Sequence, residues 1–273
     1  MDPADRDPFE EAARQRAFAM RAHGKERGSE AFQAEVARLR RVIADFAGGL
    51  AAVSLYGTRV PSPVGESLLL ERADDLLEAA LSIGASVHEG MHRPARREMR
   101  YVLEAAVKYL ATDQACPSAP LLKRVAHFER ELQYKSIGPA SVLRFAMLSE
   151  RTANLLREDL PREYDRLSSY VHASASSVRE RLKAAAAGEY LGYETASAFR
   201  AANDEVVRHL DVVLAVAFHA LDPALIGDVF TQVLDDRPEW TFHKTPLCAE
   251  ISATFNDKDE RSARTRGPGG NPD

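Results

Sequence analysis

Arg166 and His172 lie six positions apart, and their side chains could together act on a phosphate ester without a metal. Histidine is the usual general acid or base near neutral pH. A neighbouring arginine can stabilise the charge that builds on a phosphoryl group when a 2′-hydroxyl attacks it. Residues six apart on an ideal helix point about 120° away from each other, so this pair requires a helix end, local unwinding or a second copy across a dimer axis. The same spacing also fits a capping histidine and a surface arginine.

A basic stripe precedes this pair in the sequence. Arg93, Arg97, Arg100 and Glu104 recur at steps of four, three and four residues, which places them on one face of a helix, and Arg96 lies beside them. Guanidinium groups match the geometry of phosphate, so the stripe could hold an anion. The alternative is a solvated helix face on which Arg100 and Glu104 form an i,i+4 ion pair.

Residues 88–92 read H-E-G-M-H, which matches the zinc-binding pattern H-E-x-x-H. That pattern binds zinc when both histidines lie on one helix. Here Gly90 lies inside the motif, and Pro94 follows two residues after His92. A proline in that position removes a helix hydrogen bond and clashes with the preceding turn. The sequence therefore favours a turn between two helices over a metal site.

The elements that must position these residues are helical almost throughout. Apolar residues recur at three- and four-residue steps, no segment alternates with period two, and hairpin turns are absent. We predict an all-α bundle of roughly seven to nine helices. The expected helical segments are 32–56 (with Ser29 as N-cap and Gly57 near the end), 68–87, 94–111, 121–132, 138–156, 161–174, 178–187, 196–221 and 226–234. Residues 1–28 are expected to form a charged N-terminal extension, 29–255 a single all-α domain and 256–273 a disordered polar tail.

The amino-acid composition is that of a globular protein. The 273 residues are 45% hydrophobic and 28% charged, an ordinary globular balance, and 36 basic against 41 acidic residues give a formal net charge of −5. Such a chain is not expected to coat nucleic acid nonspecifically, although a local basic face could still bind a phosphate. Two distant cysteines, Cys116 and Cys248, exclude a disulfide framework. With no apolar signal segment, and no apolar run approaching the roughly 20 residues that cross a membrane, we expect a cytoplasmic protein without a membrane partner.

Two short segments together resemble proteins of the HEPN family. The sequence RYVLE at 100–104 resembles the R-x-x-x-E helix of certain HEPN-like bacterial proteins, and LSSYVHAS at 167–174 resembles their later "LS.YVH.S" segment. HEPN domains are all-α bundles, and many are metal-independent endoribonucleases of toxin–antitoxin, abortive-infection or CRISPR-associated defence systems. The resemblance covers about residues 65–220 and fits the order of the predicted helices.

The resemblance implies roles for particular residues. Arg166 and His172 match the R-x4–6-H catalytic motif, with His172 as general acid or base and Arg166 stabilising the phosphate. Supporting or phosphate-binding roles fall to Arg97, Arg100, Glu104 and Ser168. No metal or cofactor is implied. The implied partners are RNA, an antitoxin or other partner protein, and a second copy of the chain in a homodimer.

Two alternatives stay open at this point. The residue after the motif arginine is often polar in active HEPN proteins, whereas here it is Leu167, which is compatible with a non-catalytic helical interaction protein. In that alternative, Arg100, Glu104 and His172 would be polar contacts between helices. The other alternative is a zinc hydrolase on His88, Glu89 and His92.

Overall fold

The computed structural model describes residues 8–60, 66–171, 174–186 and 194–255. Across these ranges the chain is helical and has no strand, which confirms the all-α prediction. Eleven α-helices occur in them, more than the seven to nine predicted, because several short helices lack a readable period. They are α1 (Pro8–Arg27), α2 (Glu30–Gly57), α3 (Leu68–Glu71), α4 (Ala73–His88), α5 (His92–Ala115), α6 (Leu121–Glu131), α7 (Glu150–Ser168), α8 (Ala175–Ala186), α9 (Ala196–Phe218), α10 (Pro223–Val229) and α11 (Pro246–Ala253).

Four long helices build the core. The most extensive contacts join α4 to α5 and α2 to α9, with α2 against α4 and α5 against α9 closing the group. The last turns of α9 are buried on every side, from Val213 to Phe218, so α9 is the central helix. Its other end is less enclosed and forms part of the candidate site described below.

Helix α2 forms as its sequence predicts. The Oγ of Ser29 accepts a hydrogen bond from the backbone N–H of Phe32 at 3.2 Å and caps the first turn. Gly57 is its last residue, as expected, and lies so close to α3 that an added Cβ would come within 2.7 Å of Leu70 Cδ1. Only glycine allows this approach without a shift of its neighbour.

Two of the predicted helices are divided differently in the structure. The single helix expected over 68–87 is broken at Arg72 into α3 and α4. Of the helix expected over 138–156, residues Gly138–Val142 form only a 3₁₀ turn, and α7 begins at Glu150 behind a cap from Ser149.

Pro161 was predicted to start a helix. In the structure it lies inside α7. Proline at that position removes one backbone hydrogen bond. The buried side chains of Leu156, Leu160 and Leu167 hold the two halves of α7 on one continuous apolar face against the bundle. Tertiary packing therefore outweighs the local cost of the proline.

Helix α11 was not predicted, and its start is fixed by a residue far away in sequence. The buried carboxylate of Asp211, on α9, accepts hydrogen bonds from the backbone N–H groups of Leu247 and Cys248 at 3.1 and 3.0 Å and from the Thr245 hydroxyl at 2.7 Å. Thr245 and Pro246 occupy the N-cap and N1 positions, but the Asp211 contacts leave no local signal in the sequence.

Among the described residues, none of the helices combines the length and apolar character that a membrane span needs. The predicted tail, 256–273, and the first seven residues lie outside the described ranges. Of the predicted N-terminal extension, residues 8–27 form the regular helix α1.

Candidate functional site

A cleft of about 1030 Å³ opens between α5, α7, α8 and α9. Buried apolar side chains form part of its lining, among them Leu103, Leu156, Leu160 and Ala202. Ionisable side chains form much of the rest of the lining: His92, Arg96, Arg162, Arg166, Lys183, Arg208 and His209 beside Asp159, Glu163, Glu180 and Glu205. A volume of this size could accommodate several nucleotide groups, and both signs of charge face it.

Arg166, the arginine of the predicted catalytic pair, lies on the wall of this cleft. Its Nε donates to Glu163 Oε2 at 2.8 Å, and its Nη2 donates to Glu163 Oε1 and to Glu205 Oε1, both at 2.7 Å. Burial raises the pKa of Glu163, but hydrogen bonds and charge from Arg166 and His209 outweigh it and lower that pKa to about 2. The hydrogen bond with Glu163 in turn raises the pKa of Arg166, so both groups are ionised at neutral pH.

Glu205 joins Arg166 to a second arginine. Arg96 donates to the Glu205 carboxylate through Nε at 3.2 Å and Nη2 at 3.1 Å, and its Nη1 donates to Glu180 Oε1 at 2.8 Å. The same guanidinium lies 4.6 Å from the centre of the Tyr170 ring. Burial raises the pKa of Glu205, and the two arginines more than reverse that effect. The result is a continuous chain of ion pairs from α5 through α9 to α7.

His209 extends this chain to the backbone of α5. Its Nε2 donates to the Met99 carbonyl at 2.6 Å, and its Nδ1 lies 3.8 Å from Glu163 Oε1. Sequence reasoning missed Glu163, Glu205 and His209. Their signals are i,i+3 and i,i+4 spacings (Glu163 to Arg166, Glu205 to His209), which are too common to single out without knowing that α7 packs beside α9.

The end of α7 falls between the two members of the predicted catalytic pair. Its last residue is Ser168, Ser169 caps it, and a turn follows through Val171. A helix end, one of the three arrangements considered for this six-residue spacing, therefore lies between the two positions. His172 itself lies outside the described residues.

The basic stripe of α5 contacts the chain around this helix end and the start of α8. Arg93 Nη2 donates to Ser177 Oγ at 2.7 Å, and Arg97 Nε donates to the Tyr170 carbonyl at 3.0 Å. Arg97 is half exposed to solvent beyond that contact, but it does not line the cleft. These two arginines hold the segment after α7 against α5.

Arg100 anchors the end of α7 more extensively. Its Nε donates to Ser168 Oγ at 2.9 Å, its Nη2 donates to the Tyr164 hydroxyl, and the same nitrogen lies 3.2 Å from Glu104 Oε2. Glu104 also accepts from Lys108 Nζ at 2.6 Å. Arg100, Glu104 and Ser168, to which the resemblance assigns supporting roles, thus contact one another and do not line the cleft.

No protein-family model, no curated protein and no solved structure was found to match this chain.

The H-E-x-x-H segment forms the predicted turn. Helix α4 ends at His88, α5 begins at His92, and Gly90 between them has φ of 67°, in the left-handed region that favours glycine. His88 Nδ1 pairs with Glu89 Oε1 at 2.9 Å, whereas His92 lines the cleft. In the part of the chain that the structure describes, no three His, Cys, Asp or Glu side chains are grouped to hold a metal ion.

Replacing Arg100 with methionine tests the anchoring contacts. Methionine keeps most of the apolar stem but loses every donor, so we expect the free energy of unfolding to fall by about 1–3 kcal/mol, the usual range for hydrogen bonds to a charged group. Urea unfolding followed by circular dichroism measures the change. Arg40→Met, on the exposed side of α2, is the matched control and should change the value by less than about 0.5 kcal/mol. Equal effects of the two variants would show that the Arg100 contacts contribute nothing.

Proposed function

We propose that this protein is a metal-independent, HEPN-like endoribonuclease whose active site is the cleft at Arg166. One observation carries the proposal. The Arg166 side chain is 42% exposed and is held by Glu163 and Glu205 through Nε and Nη2, while within the described residues Nη1 has no hydrogen-bond partner. Two oriented N–H donors on Nη1 therefore remain for a phosphodiester oxygen.

Further positive charge at the cleft favours a polyanionic ligand. Lys183 and Arg208 line the cleft, are exposed, and make no ion pair with any residue in the described ranges. Lysine and arginine side chains that are not neutralised nearby attract the phosphates of a nucleic-acid backbone. Because the acidic groups of the cleft pair with Arg96, Arg162 and Arg166, these two cations are the ones that an RNA strand would meet first.

The proposed reaction is attack of a ribose 2′-oxygen on the adjacent phosphorus. The 2′-O–P bond forms, the P–O5′ bond breaks, the 2′-hydroxyl gives up its proton and the departing 5′-oxygen receives one. The products are a 2′,3′-cyclic phosphate and a 5′-hydroxyl. Arg166 stabilises the charge on the phosphoryl oxygens, and His172, carried by the chain just after α7, moves a proton.

Cleavage of a labelled single-stranded RNA by the purified full chain, in the presence of EDTA, tests this proposal. We expect the wild type to produce cyclic-phosphate ends and Arg166→Ala to lower the rate by about 100-fold or more, the usual cost of losing a group that stabilises developing charge. His172→Ala should have a similar effect.

Matched controls come from the same chain. Arg151→Ala changes an exposed arginine at the other end of α7, and His127→Ala changes a histidine on α6; both should cleave at the wild-type rate. Intact RNA with the wild type, or equal rates in Arg166→Ala and Arg151→Ala, would refute the nuclease proposal.

A non-catalytic helical interaction protein is the second candidate, and a specific observation favours it. The Arg166 guanidinium is already paired with two carboxylates, Glu163 and Glu205, and Arg100 is engaged in contacts between α5 and α7. If this candidate is correct, Arg166→Ala lowers the melting temperature and the wild type leaves RNA intact. Pairing of two copies, which the HEPN resemblance implies, belongs to the first proposal and would bring both R-x5-H motifs to one composite site.

A further inference from the structure

His92 faces the same cleft as Arg166 and is paired with a buried carboxylate. It is the first residue of α5, and its Nε2 donates to Oε2 of Glu194. The Glu194 side chain is 9% exposed and that of His92 is 32% exposed. A buried carboxylate thus holds one side of an imidazole whose remaining surface is open to the cleft.

This pairing fixes where the proton of neutral His92 resides. With Nε2–H donating to Glu194, the other ring nitrogen, Nδ1, carries the lone pair, and it has no hydrogen-bond partner in the described part of the chain. A carboxylate that holds a histidine in one tautomer and stabilises its protonated form is the arrangement that prepares a histidine to accept a proton.

The position of His92 relative to Arg166 follows from the ion-pair chain. Arg96 lies one helical turn after His92 on α5, so both residues face the cleft. Arg96 shares the Glu205 carboxylate with Arg166, through contacts of 3.1 and 2.7 Å. His92 is therefore one turn away from the charged chain that holds the phosphate-binding arginine.

We propose that His92 is the general base of the cleft and that Glu194 positions it. The inference rests on the proposed nuclease function, because transfer to a 2′-oxygen requires one group to remove a proton and another to supply one. His92 Nδ1 takes the proton of the 2′-hydroxyl as the 2′-O–P bond forms. His172 gives a proton to the 5′-oxygen as the P–O5′ bond breaks, and Arg166 stabilises the phosphoryl oxygens in between.

Two substrates of different leaving group test this assignment. The dinucleotide UpA has a poor leaving group that needs a proton, whereas the nitrophenolate of uridine 3′-(p-nitrophenyl phosphate) departs without one. We expect His92→Gln to slow cleavage of both substrates by about 100-fold, because both need the 2′-hydroxyl deprotonated. His172→Ala should slow cleavage of UpA by a similar factor and cleave the nitrophenyl ester at close to the wild-type rate.

A second variant keeps the inference testable if His92→Gln melts well below the wild type. Glu194→Gln retains a hydrogen-bond partner but removes the charge, so we expect kcat to fall by about 10-fold with KM unchanged, since the group acts through His92 and not on the substrate. His127→Ala is the control for loss of a histidine elsewhere in the fold. Circular dichroism melts of every variant accompany the rates.

The outcomes separate the two proposals. If the wild type cleaves neither substrate, the nuclease function and this inference both fail. If the wild type cleaves both, and folded His92→Gln or Glu194→Gln keeps full rates, the nuclease function stands and the inference is wrong. If His92→Gln cleaves the nitrophenyl ester at the wild-type rate but remains slow on UpA, His92 is the general acid, and its assignment as the base is overturned.

Discussion

Asp113→Ala should lower the free energy of unfolding by about 3–5 kcal/mol, the range found when one partner of a buried ion pair is removed. The Asp113 and Arg124 side chains are 6% and 3% exposed, and Oδ1 accepts from Arg124 Nη1 at 2.7 Å. The same carboxylate accepts from the backbone N–H groups of Leu68 and Leu69 and from the Ser67 hydroxyl, at 2.8, 3.1 and 2.6 Å. Alanine would leave a buried guanidinium without its counter-ion and the backbone N–H groups of Leu68 and Leu69 without their acceptor.

Urea unfolding measures this loss by circular dichroism and by the fluorescence of Trp240, the single tryptophan, which is buried. Asp159→Ala is the control, because the Asp159–Arg162 pair is largely exposed and should contribute less than about 1 kcal/mol. In a double-mutant cycle, Asp113→Ala with Arg124→Ala should cost less than the sum of the single variants by about 1 kcal/mol or more. A loss from Asp113→Ala no larger than that of the control would contradict the prediction.

The ease with which each helix could be predicted depended on where its stabilising contacts come from. Helix α2 carries its own cap, Ser29, and its own apolar period, so both of its ends could be predicted. The start of α3 at residue 68 was predicted, since Ser67 caps it locally. The further caps of α3 and α11 come from Asp113 and Asp211, which lie on α5 and α9 and could not be assigned to these helices from the sequence. Pro161 was misleading for the opposite reason, since a local helix-breaking signal is overridden by packing.

The residues of the candidate site also differ in whether local sequence could identify them. Arg166 was identified from its residue type and its distance from His172, and it does line the cleft. The two carboxylates that orient it, Glu163 and Glu205, could not be identified, because Glu205 reaches it only through the packing of α9 on α7. The spacing of Arg97 and Arg100 correctly placed them on one face of a helix. The segment that this face contacts depends on tertiary packing and could not be predicted from the spacing.

The H-E-x-x-H segment was the opposite case, in which local chemistry was sufficient. Gly90 and Pro94 predicted a turn, and the structure has one, with the two histidines on successive helices. What the sequence did not provide was a partner for His92. Glu194 lies about a hundred positions later in the chain. Its contact with His92 is what makes this histidine a candidate general base.

His219 makes the fold sensitive to mild acid. Its Nδ1 donates to the Ala215 carbonyl at 2.6 Å, and its Nε2 accepts from the Met147 N–H at 3.2 Å. A proton on Nε2 would oppose that N–H donor. Burial lowers the pKa of His219 from 6.5 to about 4, and the Ala215 hydrogen bond offsets this only in part. The unfolded chain therefore takes up this proton first as the pH falls.

The contribution of His219 to stability is complete above pH 6.5 and is lost progressively as the pH falls towards 4. We expect a loss of about 2 kcal/mol between pH 6.5 and 4.5 and about 3 kcal/mol by pH 4, at about 1.4 kcal/mol per unit. The loss of stability between pH 6.5 and 4.5 is assigned to His219, because carboxylates of lowered pKa, such as Glu163 and Glu205, lose their contribution to stability only below pH 4.5. Urea unfolding across this range, followed by circular dichroism, measures the slope.

His219→Gln supplies the comparison, because glutamine can still donate and accept hydrogen bonds but does not titrate. The variant should be less stable than the wild type at neutral pH, and its free energy of unfolding should change much less between pH 6.5 and 4.5. The two proteins should consequently approach each other in stability as the pH falls. Parallel curves for wild type and variant over that window would show that His219 is protonated as readily in the folded protein as in the unfolded chain, and that its two hydrogen bonds do not hold it neutral.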